Sequence, residues 1–382
     1  MESSAGGITL TLCVDPSTHR IDAAFFAAHT AVAPEVPLIA SNLCGILEGL
    51  PILEAQNHAV LKLEESLRDS WYRRSVPGID AFLEDCAEMG VKAISLVSDG
   101  ESSISPHFEH TIIRGSQLGI SMAAATHGYN STRESLEKIL PHLTYLRVNI
   151  SAGEPARYAQ IMGVKEEWFH QVCRNIRDMV DIKKRDNLDV TIGMQMVLMP
   201  QDADQVIPLA KLGKELRPDY LVIKHTSDSE DGQLGVDYSK YAELDDLLHE
   251  AESYSDGEYQ VSVKWSKISS EGKRSYQRCY GPPFQIQISG SGLVAPCGML
   301  FNERYKKFHI GNIVTTRFKD IVQSDRYWDV MNYLASPRFN AQKMCGSLCL
   351  QHKPNEFLDA YKKGLIDLRK PRGNPPQHIN FI

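Results

Sequence analysis

Cys279-Tyr-Gly-Pro-Pro-Phe-Gln-Ile-Gln-Ile-Ser-Gly-Ser-Gly-Leu-Val-Ala-Pro-Cys297 reads as a β-hairpin with a thiol at either end. Its central part, from Gln285, alternates in two arms around a Gly/Ser turn. A hairpin brings its last residue back to its first, so Cys279 and Cys297 can share one centre. Twelve residues separate Cys279 from Gly292, and four separate Gly292 from Cys297. Further on, Cys345-Gly-Ser-Leu-Cys349 supplies a second pair from a later turn. Four thiolates at such spacing suit a soft metal centre, either tetrahedral zinc or a four-cysteine iron–sulfur cluster. The competing reading is four buried or disulfide-bonded cysteines.

The totals favour the metal. The chain has 382 residues, enough for one barrel with an extension. At 42% hydrophobic and 23% charged residues it has the composition of an ordinary soluble protein. A net charge of −7 points to neither nucleic acid nor an anionic membrane surface. No run is long and apolar enough to span a membrane, and the first residues lack a basic start and an apolar signal core. A cytoplasmic location is expected. Eight cysteines in such a chain suit metal binding or catalysis better than disulfides.

In chain order, residues 8–14 alternate and are rich in β-branched side chains, which predicts a first strand. Residues 20–33 are unusually rich in alanine. The recurrence of Leu61, Leu63, Leu67 and Trp71 predicts one or two helices within 40–74. A helix is expected over 80–90, ending at Gly90. Strands follow at 91–97, 120–126, 145–151, 190–198 and 220–225, with helices at 165–184 and 203–216 between the later ones. Six strand–helix pairs predict an α/β fold, a partial (β/α)6 TIM-like barrel. Residues 1–235 form the barrel in this reading and 236–270 a linker with a short acidic helix. Residues 271–382 form a small α+β extension, the hairpin plus helices at 317–335 and 354–368, and a Pro-rich tail.

The hairpin stretch resembles the SPASM domain at the C-terminus of radical S-adenosylmethionine (SAM) enzymes, in its shortened twitch form. The family pattern is Cys, nine to fifteen residues, Gly, four residues, Cys, and residues 279–297 satisfy it. The family's Gly-Asn-Ile segment is present as Gly311-Asn312-Ile313. With four cysteines available there, the resemblance implies one auxiliary 4Fe–4S cluster on Cys279, Cys297, Cys345 and Cys349. It also assigns roles at the strand ends. Asp99-Gly100-Glu101 is similar to the family's Gly-Gly-Glu motif, which holds the SAM amino group. Thr126-His-Gly128 is similar to its Thr-Asn-Gly. Asn149 and Ser151, on one face by two-residue alternation, stand where the family touches the SAM ribose and carboxylate. Gln195 sits where the family packs against SAM. Lys224 and His225 end a strand at the rim where barrel enzymes do chemistry.

The departure from the family lies after the first strand. There the family carries Cys-x3-Cys-x2-Cys, three ligands of a 4Fe–4S cluster whose fourth iron is left for SAM. This chain has Ala24, Ala28 and Ala31 at that spacing. Alanine offers no lone pair, so the loop as written holds no cluster. The resemblance implies an enzyme that cleaves SAM to a 5′-deoxyadenosyl radical and takes hydrogen from a small-molecule or peptide substrate. It implies a reductant such as flavodoxin or ferredoxin, with this chain a Cys-to-Ala inactive variant. Two alternatives remain: a natural cluster-less relative that binds a partner or ligand, and an aldolase-like barrel with a zinc-bearing tail and Lys224 as its Schiff-base lysine.

Overall fold

A computed structural model describes residues 6–13, 58–65, 76–97, 101–228, 232–270, 272–345, 349, 351–366, 378, 380 and 381, the first two stretches as backbone. Ala24, Ala28, Ala31, Asp99 and Gly100 lie outside the described residues. By contacts the chain divides into two compact units. One draws on residues 1–122, 274–345 and 349–382, the other on 123–273.

Strands β1 (Gly6–Cys13) and β2 (His58–Glu65) pair antiparallel along their whole length as a two-stranded sheet. Two expectations are corrected here. The stretch 40–74 was expected to be helical, yet 58–65 is a strand. Its Ala59-Val-Leu-Lys-Leu-Glu64 alternates with the two-residue period of a strand, and the wider Leu spacing masked it. The first strand exists but is not hydrogen-bonded into the parallel sheet. Alternation shows that a strand forms; it does not show which strand will be its partner.

The parallel sheet of the barrel has six strands in sequential order: β3 (Ala93–Leu96), β4 (Ser121–Thr126), β5 (Leu143–Asn149), β6 (Thr191–Leu198), β7 (Tyr220–His225) and β8 (Gln260–Val263). Strand β8 takes the sixth place, inside a stretch expected to be linker and helix. Its Gln-Val-Ser-Val alternates, but over too few residues to stand out. Register pairs Arg147 with Gly193, Gly193 with Tyr220 and Tyr220 with Gln260. Side chains of paired residues share a face. One face is therefore apolar, with Val148, Met194, Met196, Leu221 and Ile223 all buried. The other carries Arg147, Asn149, Gln195, Tyr220 and Lys224. Gly193 is required on that second face: a Cβ there would lie 2.2 Å from Cζ of Tyr220, whose ring covers the strand.

Helices account for the apolar face. Helix α1 (Val76–Glu88) precedes β3, and α2 (Phe108–Gln117) precedes β4. Gly115 of α2 packs so closely on Met122 that a Cβ would fall 2.4 Å from its sulfur. The longest helix, α3 (Glu166–Arg185), buries Phe169, Val172, Cys173, Ile176 and Met179 at helical spacing. Its first turn holds Glu166 and Glu167 and its last Lys183, Lys184 and Arg185, which complements the helix dipole.

The extension contains a three-stranded antiparallel sheet: β9 (Gln287–Ile288), β10 (Leu293–Ala295) and β11 (Gly311–Asn312). The hairpin is as expected, and the Gly311-Asn312 segment adds its third strand. Gly292 turns it at φ 82°, and a Cβ there would meet Asn312 Oδ1 at 2.8 Å. Helices α4 (Phe318–Gln323) and α5 (Asp325–Ala335) replace the single helix expected over 317–335. The break is Ser324, whose hydroxyl caps the second helix at Tyr327 N. Helix α6 (His352–Lys362) follows the last cysteine pair.

Candidate functional site

The hairpin arms deliver Cys279 and Cys297, and Cys345 and Cys349 precede α6 in the chain. All four line one cavity. The cavity is held by two amides that sequence reasoning missed. Gln351, 1% exposed, donates from Nε2 to the carbonyls of Gln285 (2.7 Å) and Pro296 (2.9 Å), tying the two hairpin arms together. Asn355, one helical turn on, accepts through Oδ1 from the backbone N–H groups of Tyr280 (2.5 Å) and Gly281 (3.0 Å). Both also reach the Cys279 sulfur. The Cys279 thiol donates to Gln351 Oε1 at 3.5 Å, and Asn355 Nδ2 donates to its sulfur at 3.4 Å. The available signal was the position of Gln351 and Asn355, four apart on one helix face directly after Cys349.

Electrostatics of the cavity fit a polynuclear centre. Burial first, then the neighbouring Cys349 and Cys345 sulfurs, push the Cys279 and Cys297 thiols well above the ordinary thiol value. Thiols that oppose one another's ionisation lose their protons together when a cation shares their charge. Arg274, 8% exposed, also lines the cavity. Burial alone would lower its pKa, but the charges of Cys349, Tyr276 and Cys345 outweigh this and hold the guanidinium above its usual value. Among the described residues no three His, Cys, Asp or Glu side chains converge as a single ion needs. Four sulfurs bordering one cavity are a donor set that a 4Fe–4S cluster or a zinc ion takes.

The strand-end residues fall into distinct settings. Glu101 is buried and accepts from Ser103 N at 3.1 Å, capping a short 3-10 turn. Thr126 Oγ1 accepts from Gly128 N at 2.9 Å, closing the turn after β4. Asn149 and Gln195 are brought together: register pairs them, and Gln195 Nε2 donates to Asn149 Oδ1 at 2.5 Å. Ser151 is buried and accepts from Val197 N at 3.3 Å, extending the β5–β6 ladder. Lys224 lies on the polar face with Gln195. His225, its neighbour, lies on the opposite face. It is 1% exposed, with its ring centroid 5.3 Å from that of Tyr238 and 5.7 Å from that of Tyr241. Its Nδ1 meets Thr226 O at 2.7 Å, and its Nε2 has no partner among the described residues. Burial lowers its pKa, so the imidazole is held neutral.

Comparisons with known proteins agree with this geometry. Residues 279–349 match the SPASM family, an iron–sulfur cluster-binding domain. The chain is similar to Streptococcus suis SuiB bound to S-adenosylmethionine, at 14% identity and TM-score 0.51, over 67% of this chain and 60% of that one. It is similar to SuiB bound to precursor peptide SuiA, at 13% identity and TM-score 0.52, over 70% of this chain and 61% of that one. The chain thus spans about three fifths of the SuiB length. A further match, at 14% identity and TM-score 0.48, is anSMEcpe with bound AdoMet and Cp18Cys peptide, over 77% of this chain and 90% of that one. A search of curated proteins gave no match. A SPASM-type domain therefore follows a partial barrel of the fold seen in SuiB. Among the described residues no helix is long and apolar enough to cross a membrane.

Proposed function

We propose that this chain is a radical SAM enzyme of the twitch/SPASM type, written here without the ligands of its SAM-binding cluster. The observation that carries the reading is the convergence of Cys279, Cys297, Cys345 and Cys349 on one cavity within an iron–sulfur domain. The donor set fits one auxiliary 4Fe–4S cluster. When bound, that cluster would supply one-electron chemistry. Gln351 and Asn355 fix the Cys279 sulfur and the hairpin that carries Cys297, and Arg274 offsets the negative charge of the thiolates. The residues do not fit a second cluster: Ala24, Ala28 and Ala31 have no ligand atoms, so this form is inactive in SAM cleavage.

On the barrel, Asp99, Gly100 and Glu101 are assigned to the SAM amino group. Asn149, Ser151 and Gln195 are assigned to the rest of the molecule, with Thr126 shaping the adjoining turn. Lys224, on the polar face, is the candidate for contact with substrate; His225 has a packing role. A substrate with a peptide backbone is favoured by the peptide-bound SuiB relative, and an acidic electron carrier such as flavodoxin or ferredoxin is the expected reductant.

The test is reconstitution without oxygen. The chain as written takes up about four irons, one cluster's worth. With Ala24, Ala28 and Ala31 each changed to cysteine it takes up about eight and forms 5′-deoxyadenosine from SAM under dithionite. Glu101→Ala in that restored chain weakens SAM binding by roughly 1.5–3 kcal/mol, the worth of a charge-assisted hydrogen bond. Iron uptake without any 5′-deoxyadenosine would favour a non-enzymatic relative.

A further inference from the structure

We propose that a basic cleft beside the cysteine cavity, formed by Lys307, Arg326 and Arg338, is the docking surface of an acidic electron-carrier protein. The choice of a redox partner rests on the reading of that cavity as an iron–sulfur centre; the inference adds where the carrier sits.

The cleft has a volume of about 290 Å³ and lies in the extension. Lys307 reaches it from the turn before β11, Arg326 from helix α5 and Arg338 from the turn after that helix. Phe308 and Tyr333 give it an aromatic lining, with ring centroids 5.6 Å apart. Lys307 Nζ lies 4.9 Å from the Phe308 centroid and 5.6 Å from that of Tyr333. The Arg338 guanidinium lies 5.0 Å from the same Tyr333 centroid. Arg326 donates from Nε to His309 O at 3.0 Å and from Nη2 to Lys307 O, which fixes the Lys307 segment against α5. Among the described residues none of these three cations is in an ion pair, whereas the neighbouring Lys306 pairs with Glu303 at 3.7 Å. One acid, Asp329, lines the cleft.

An aromatic ring holds a cation without cancelling its charge. Three cations and one carboxylate therefore leave the cleft positive, in a chain whose net charge is −7. An acidic partner is repelled by the surface at large and attracted here, which sets its orientation. Position then selects an electron carrier from among acidic proteins, because cleft and cavity share a wall. Phe308 lines the cleft and Phe339 the cavity, and their rings meet edge to face with centroids 5.8 Å apart. A bonded path runs beside it, from Tyr333 to Leu334, whose carbonyl accepts from Cys279 N at 3.1 Å. A carrier seated against Tyr333 is thus one residue and one hydrogen bond from Cys279. In the transfer the carrier's flavin or iron–sulfur centre loses one electron and the cluster gains it; no bond forms or breaks.

The probes are a flavodoxin and a ferredoxin, titrated against the full chain by surface plasmon resonance without oxygen. At least one binds, with an affinity that falls as salt is raised. Arg338→Glu and Lys307→Glu each weaken binding about tenfold at low salt, mainly through the association rate. Lys138→Glu, the same charge change at an exposed lysine of the barrel, does not. Circular dichroism and iron content of the variants match those of the parent. Electron transfer from the reduced carrier to the loaded chain slows in Arg338→Glu and Lys307→Glu, while photoreduced deazariboflavin, a neutral reductant, reduces all forms alike. Binding of neither carrier, or an equal loss in Lys138→Glu, overturns the proposal. So does competition by inorganic phosphate beyond the effect of matched ionic strength, which marks a small-anion site instead. The binding measurement needs no cluster. A chain that takes up no iron yet holds the carrier through Arg338 would sink the iron–sulfur reading and leave the docking surface standing.

Discussion

Asp85 and Arg317, 232 residues apart, form a two-point ion pair: Nη2 donates to Oδ1 at 2.6 Å and Nε to Oδ2 at 2.9 Å. The carboxylate is fully buried on α1, whereas the guanidinium, just before α4, is half exposed. Phe82 and Phe318 meet edge to face beside it, with ring centroids 5.3 Å apart. Helix α1 and the extension are thereby parts of one packed unit.

Arg317→Met leaves the Asp85 charge buried with, among the described residues, the longer Lys319 contacts. The expected loss is about 2–3 kcal/mol, below the full value for a wholly buried pair because the arginine is half solvated. Arg317→Lys restores only part, since an ammonium cannot reproduce the fork. Urea unfolding measures both; a loss no larger than that of an ordinary surface substitution would show that solvent replaces the arginine.

Gln351→Leu removes the amide that joins the two hairpin arms. Two buried carbonyls, Gln285 and Pro296, lose their donor, at about 1–3 kcal/mol for each group left unsatisfied. The hairpin ends then separate, and iron bound per chain after reconstitution drops below that of the parent. If iron content is unchanged while stability falls, Gln351 supports the fold without positioning the ligands.

The cysteine centre was legible because its code is local. Spacing, a Gly turn and strand alternation all sit within Cys279–Cys297, and one resemblance named the rest. Gln351 and Asn355 left no such trace: an amide on a helix looks alike whether it meets water or a buried carbonyl. Most strands of the sheet were legible singly, because runs such as Thr191–Leu198 are almost wholly buried and largely apolar, with Thr191 and Gln195 the polar exceptions. Its membership was not. The first strand pairs with 58–65, and a four-residue strand at 260–263 joins the sheet, because ladder partners are chosen by packing that the local pattern does not contain. The polar face went unseen for a related reason: Arg147, Gln195 and Lys224 belong to one surface only once the register is known.

Arg274→Met should lower the reduction potential of the auxiliary cluster. The arginine lies at the cavity and feels the charge of Cys345 and Cys349, so it stabilises the more negative, reduced state. Its loss is expected to shift the midpoint down by on the order of 60 mV, a tenfold change for one electron. Redox titration followed by electron paramagnetic resonance reads this directly, and Arg274→Lys should recover much of the shift. An unchanged midpoint with normal iron content would mean that the charge is screened from the cluster.

His225 gives the chain a pH dependence with a definite sign. Burial lowers its folded-state pKa below the ordinary 6.5, with the nearby Lys267 and Lys224 charges adding to the effect and the Thr226 carbonyl opposing it. The unfolded chain therefore binds this proton at a higher pH than the folded chain does. The associated stability is fully present above 6.5 and is lost as pH falls below that value towards the folded pKa. His225→Asn keeps a donor for the Thr226 carbonyl but does not titrate. Urea midpoints of the two proteins are compared at pH 7.5 and pH 5.5, on either side of the ordinary histidine value. The parent should lose more stability on acidification than the variant, although the variant starts lower because of the space left between Tyr238 and Tyr241. Parallel slopes would show that His225 titrates as it does in the unfolded chain, and that the unpartnered Nε2 is reached by water.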